Sequence, residues 1–114
     1  MTILYGIKNC DSVKKAKKWL EQENIAYDFH DFRSDGLSPE LLQAFIKDAD
    51  ISALLNKRST SFRNLADDIK NNLTDQVAQE AMLAQPTLIK RPLLKYGDTL
   101  LVGFKDKQYQ ETLL

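Results

Sequence analysis

One thiol is the only sulfur nucleophile in this chain of 114 residues, and it lies in the segment Tyr5-Gly6-Ile7-Lys8-Asn9-Cys10-Asp11-Ser12-Val13-Lys14-Lys15-Ala16. A cysteine attacks a disulfide as thiolate, and a free one ionises near pH ~8.5. The apolar run ending at Tyr5 reads as a strand and the pattern after Cys10 as helical, so the thiol falls at or within one residue of a helix N-terminus. Unpaired N–H groups and about half a unit of positive charge favour the anion there. Lys8 and Lys14 strengthen this if they approach; Asp11 opposes it, although Asp11 also suits a first helical turn. Cys10 is therefore expected to ionise more readily than a free thiol. The competing reading is inert packing, because free cysteine is among the most often buried residue types. Placement favours chemistry, since open α/β sheets bind ligands beyond the C-terminal ends of their strands.

A second feature is Arg91-Pro92, just before the apolar run Leu93-Leu94. Proline is tolerated at the first residue of a strand, and its bond to Arg91 is open to either isomer. Lys57, Arg58, Arg63, Lys90 and Arg91 gather before this strand and in the preceding helical stretch. If some of them converge on the thiol, they form an anion pocket suited to carboxylates or an oxyanion. The single histidine, His30, lies between acidic neighbours and reads as structural or exposed. Asp67, Asp68, Asp75 and Glu80 read as solvated helix faces, Lys14, Lys15, Lys17 and Lys18 as the outer face of a helix, and Trp19 as a core anchor. No phosphate-cradling glycine loop and no metal-ligand cluster is present, so neither a metal nor a bound cofactor is expected.

Composition bounds the partners. Sixteen basic and sixteen acidic side chains cancel, which gives no global pull toward nucleic acid or an anionic membrane. A lone cysteine excludes an internal disulfide and a multi-cysteine metal site, and it suits a reducing compartment. With 43% hydrophobic residues, one domain of this length buries roughly two-thirds of its unfolded surface. No basic stretch leads into a long apolar run at the start, and none approaches membrane-spanning length. A cytoplasmic monomer is expected, because no apolar stripe is left over.

These side chains must be held by a recognisable order of elements. Thr2 to Tyr5 is a strand ended by Gly6; Asp11 to Glu23 is a helix with Val13, Ala16, Trp19 and Leu20 on one face, and Asn24 is a plausible cap. Ile25 to Phe32 reads as a second strand, making a parallel βαβ unit. Ser38-Pro39 then starts a helix with Leu41, Leu42, Phe45 and Ile46 inward. Short helical pieces run to Gln85, the last capped by Thr74 and stopped by Pro86. Two apolar runs, Leu93 to Tyr96 and Thr99 to Val102, joined by Gly97-Asp98, spell a hairpin. A closing helix places Tyr109 and Leu113 inward. The class is α/β, in the order β-α-β, helices, β-β-α.

The segments "LYGIKNCDSVKKAKKWL", "LLNKRSTSFRNL", "MLAQPTLIKRPLL" and "LVGF" together resemble the ArsC/Spx family of thioredoxin-fold proteins, and most nearly its YffB-type branch. The resemblance spans nearly the whole chain. It implies a thioredoxin-like core of about residues 1–33 and 86–114, with a helical insertion of about 38–85 between the second and third strands. It also implies a nucleophilic Cys10, a cis-Pro92, an anion-holding Arg91, a second anion contact at Arg58, and Lys8 and Asn9 lining the same loop. Two departures matter. The related arsenate reductases carry a further arginine after the last strand, where this chain reads Val102-Gly103-Phe104-Lys105. The Spx-type regulators carry a Cys-x-x-Cys switch, where this chain has Val13, and a polymerase-contacting glycine at about the position of Asp50.

The expected function is a glutathione-dependent monothiol oxidoreductase, with glutathione as co-substrate and a disulfide or oxyanion as the other substrate. The alternatives are an Spx-like transcriptional regulator that binds RNA polymerase, and an arsenate reductase. No nucleic acid or membrane partner is expected.

Overall fold

The computed structural model describes residues 2–114. Twelve elements follow in order: β1 (Thr2–Gly6), α1 (Asp11–Gln22), β2 (Asp28–Asp31), α2 (Pro39–Asp48), α3 (Ile51–Leu54), α4 (Thr60–Arg63), α5 (Asp67–Asn71), α6 (Asp75–Ala84), a single 3-10 turn (Pro86–Leu88), β3 (Leu93–Tyr96), β4 (Thr99–Val102) and α7 (Asp106–Leu113). They divide into two compact units. One comprises the described residues up to Gly36 together with Arg91–Leu114, the other Leu37–Lys90. Among the described residues no helix is long and apolar enough to cross a membrane.

The first unit is a four-stranded sheet in the order β2-β1-β3-β4. β1 pairs parallel with β2, as a strand–helix–strand unit requires. It pairs antiparallel with β3, and β3 with β4 through the Gly97-Asp98 turn, where Tyr96 faces Thr99. Gly97 takes φ of 57°, which such a tight hairpin turn demands. Successive residues of β1 point to opposite faces. Leu4 joins Val13, Ala16, Leu20, Leu94, Leu101 and Tyr109 in one buried cluster. Tyr5, on the other face, meets the rings of His30 at 5.2 Å and Phe32 at 6.3 Å.

The inward face of α1 is Val13, Ala16 and Leu20, as its periodicity dictates. Trp19 departs from expectation: it is half-buried at the margin of the core, its ring edge-on to Tyr109 at 5.4 Å. Lys14, Lys15 and Lys18 are exposed, whereas Lys17 rests its ammonium 3.6 Å above the centre of the Phe29 ring. The helix ends one residue earlier than the pattern suggests. Asn24 adopts φ of 57°, the Asn24 N–H reaches Glu21 O at 3.2 Å, and Ile25 N–H reaches Leu20 O at 2.9 Å. This paired closure of a helix end by a left-handed residue takes Ile25 out of β2. The strand is therefore four residues long and not eight.

The second unit is held by caps and short backbone bridges. Ser38 Oγ accepts from Leu41 N–H, Ser59 Oγ from Phe62 N–H and Thr74 Oγ1 from Val77 N–H, at 3.1, 3.1 and 3.2 Å. Leu42, Phe45, Leu54, Leu65, Ala78, Met82, Leu88 and Ile89 are buried. Pro86 does end α6, but it opens the 3-10 turn, and the following segment pairs back through Leu55 and Ile89.

Gly6 ends β1 because nothing larger fits: a Cβ there would lie 2.6 Å from Val13 Cγ2. Gly6→Ala is expected to destabilise the fold by about 1–3 kcal/mol, the usual cost of overpacking. Val13→Ala in the same chain should return part of that loss, a non-additivity measurable in a double-mutant cycle by urea unfolding.

Tyr109 offers a second test. It is fully buried, its hydroxyl has no hydrogen-bond partner among the described residues, and burial pushes its ionisation far above the ordinary tyrosine value. Removing an unsatisfied buried hydroxyl should be neutral or stabilise, so Tyr109→Phe is expected to gain about 1 kcal/mol near neutral pH. Above the ordinary tyrosine value of about 10, unfolded chains release this proton while folded ones keep it, so stability falls as pH rises. That decline should be shallower in Tyr109→Phe, as read from urea midpoints across the alkaline range.

Candidate functional site

The path from β1 into α1 is a tight turn. Cys10 N–H closes it on Ile7 O at 3.2 Å, and Lys8 N–H points to Asp31 Oδ2 at 3.3 Å. Cys10 then occupies the N-cap of α1 with φ −96° and ψ 128°, and its carbonyl accepts the first helical hydrogen bond from Lys14 N–H at 3.0 Å. Its side chain makes no capping hydrogen bond. The sulfur thus stands where Ser38, Ser59 and Thr74 place an oxygen on their own helices. It is half-buried, packed on one side against the Leu4–Tyr109 cluster. Lys8 and Asn9 are exposed in the turn.

The sheet register brings the Arg91-Pro92 pair to the same end. Tyr5 pairs with Leu93, so Pro92 stands one step beyond, beside the last residue of β1. The Arg91–Pro92 peptide bond is cis, Pro92 is buried, and Arg91 is half-exposed. Pro92 O accepts from Gly103 N–H at 2.8 Å, which ties the start of β3 to the residue after β4. Gly103 takes φ of 79° there. The C-terminal end of β1, the thiol turn and the cis-proline therefore belong to one edge of the first unit.

Arg58 belongs to the second unit. It is exposed in the turn between α3 and α4, its N–H held by Asn56 Oδ1 at 3.1 Å. Asn56 N–H donates to Leu88 O and Lys90 N–H to Leu54 O, both at 2.7 Å, so this turn is fixed to the 88–90 segment of its own unit. His30 has a structural partner, its Nε2 lying 2.7 Å from Gly36 O. Asp31, the acceptor for the turn amide, is not singled out by composition or spacing. The signal that could have found it is a carboxylate at the end of the strand flanking the thiol loop.

A mixed sheet of this order, with the first helix beginning at a thiol and a cis-proline opening the third strand, is a thioredoxin-like fold. The chain belongs to the ArsC family, whose model matches residues 5–112. It is similar to a solved YffB protein, with 43% identity, a TM-score of 0.95 and full coverage of both chains. A Haemophilus influenzae protein of undescribed activity is 46% identical over 110 residues, covering 96% of each chain. The global transcriptional regulator Spx of Lactiplantibacillus plantarum is 28% identical over 115 residues, covering 99% of this chain and 86% of its own.

An oxygen at residue 10 would cap where sulfur does not. Cys10→Ser is expected to raise stability by about 0.5–1 kcal/mol through an N-cap bond to the first helical turn. Thermal unfolding of the two proteins under reducing conditions checks this.

Proposed function

We propose that the protein is a glutathione-dependent thiol–disulfide oxidoreductase acting through Cys10 alone. The observation that carries this reading is the position of the thiol: at the N-terminus of α1, just past the C-terminal end of β1, the end that Arg91-Pro92 flanks. In the first step Cys10 thiolate attacks the glutathione sulfur of a glutathionylated substrate. A bond forms between that sulfur and Cys10, the original disulfide breaks, and the substrate leaves as thiolate. With no second cysteine in the chain, glutathione thiolate from solution then attacks the mixed disulfide. Cys10 is released as thiolate, and oxidised glutathione departs. The tripeptide is thus both group carried and reductant.

Arg91 is assigned to a glutathione carboxylate, which its planar fork matches with two parallel hydrogen bonds. Pro92 removes a backbone donor at the start of β3 and leaves the neighbouring backbone to the substrate. Lys8 and Asn9 line the turn. Arg58 enters as a further anion contact through the family resemblance. A reducing, cytoplasmic setting suits this chemistry, because it keeps a free thiol free.

A regulator of the Spx type is the second reading, favoured by likeness to Spx along nearly the whole chain. Val13 weighs against it: a fully buried aliphatic side chain occupies the place of the second thiol in a Cys-x-x-Cys switch. The absence of an arginine in Val102-Gly103-Phe104-Lys105 weighs against arsenate reduction.

Mass spectrometry after incubation with oxidised glutathione tests the first step. The expected result is one glutathione on residue 10 of the native protein and none on Cys10→Ser. An unmodified native protein, or one that instead retains the RNA polymerase α subunit, would overturn the enzyme reading.

A further inference from the structure

We propose that Asp31 is a positioning residue for Cys10, acting through the turn between β1 and α1; this rests on the thiol chemistry proposed above. Asp31 is the last residue of β2 and pairs with Gly6, the last residue of β1. It therefore stands beside the point where the chain turns toward the thiol. Its carboxylate is divided between two amides: Oδ2 faces Lys8 N–H at 3.3 Å and Oδ1 accepts from Arg33 N–H at 2.8 Å. Its own backbone is clamped. Asp31 N–H donates to Asp35 Oδ2 at 2.9 Å, and Asp35 N–H returns to Asp31 O at 2.7 Å.

The chain from Asp31 to Cys10 is short. Lys8 is the second residue of the turn that Cys10 N–H closes on Ile7 O. A shift of the Lys8 peptide rotates that turn and changes the N-cap dihedrals of Cys10, which aim the sulfur. An anionic acceptor holds an amide more firmly than a neutral one. The negative charge itself opposes a nearby thiolate, so position and charge act on the sulfur with opposite signs. That opposition makes the two roles separable.

The experiment compares native protein, Asp31→Ala and Asp31→Asn. It follows Cys10 alkylation by uncharged iodoacetamide across pH, Lys8 amide exchange by NMR, and thermal unfolding. If Asp31 positions the turn, the alanine variant exchanges the Lys8 amide faster and its limiting alkylation rate falls about tenfold, on the scale of misplacing a reacting atom. Asparagine keeps one acceptor oxygen for the two amides, so its Lys8 protection and its limiting rate are expected to recover together or fail together. A native limiting rate in Asp31→Ala overturns the proposal, and a profile displaced to lower pH in both variants with that rate unchanged assigns Asp31 a charge role alone and overturns it too. Should the alanine variant not fold, Asp31→Asn carries the test: limiting rate and Lys8 protection that are lost together or kept together support the proposal, and either one changing without the other overturns it. Iodoacetamide reports on the sulfur whether or not glutathione is the substrate. A native protein that alkylates but takes up no glutathione therefore fails the function proposed above while leaving this test intact.

Discussion

The close approach of α1 to the end of β1 governs this molecule. Val13 Cγ2 occupies the space in which a side chain at residue 6 would begin, so only glycine lets the helix lie down on the strand at that depth. The contact sets where α1 starts, and therefore where the N-cap residue stands. It also seats Val13, Ala16 and Leu20 against Leu4, Leu94, Leu101 and Tyr109. Core packing and thiol placement are thus two outcomes of one steric fit, and neither can be adjusted without the other.

Against that rigid background the thiol end of α1 departs from local preference. Three helices begin with a hydroxyl that satisfies a first-turn amide; α1, like α3, α5 and α7, has no side-chain cap, and it alone begins at a thiol. Natural chains break such rules at sites of function and compensate elsewhere. Here compensation is visible in the burial of the helix face and in the paired closure at Asn24 and Ile25. The sulfur is also half-buried, with the apolar cluster on one side. A reagent can approach it only from the remaining directions.

Features encoded by a few neighbouring residues could be read directly from the sequence. The hairpin at Gly97-Asp98, the Ser38-Pro39 start, the Thr74 cap and the burial of Val13, Ala16 and Leu20 all depend on local chemistry or a short period. The placement of Cys10 at a helix start followed from the strand-to-helix junction in the same way. What escaped depends on backbone geometry or on distant partners. Asn24 taking a left-handed conformation, and so shortening β2, is a choice among cap types that composition leaves open. Trp19 settled at the margin because Tyr109, much later in the chain, fills the space beside it. The Asp31 carboxylate reaches Lys8 across twenty-three positions, and no window of sequence reveals that bond.

The sheet order carries a consequence for biosynthesis. β1 is a central strand, yet Leu4 finds its antiparallel partner in Leu94, ninety positions later. Loop closure costs only about 0.6 kcal/mol for each doubling of length, so the intervening helical unit burdens equilibrium stability very little. The kinetic burden is heavier, because pairings between remote segments form slowly. Leu37–Lys90 has buried residues of its own and can collapse while one flank of β1 is still bare. A nascent chain thus carries an unpaired strand edge until the ribosome has made β3, and that interval is when this protein most needs shielding from its neighbours.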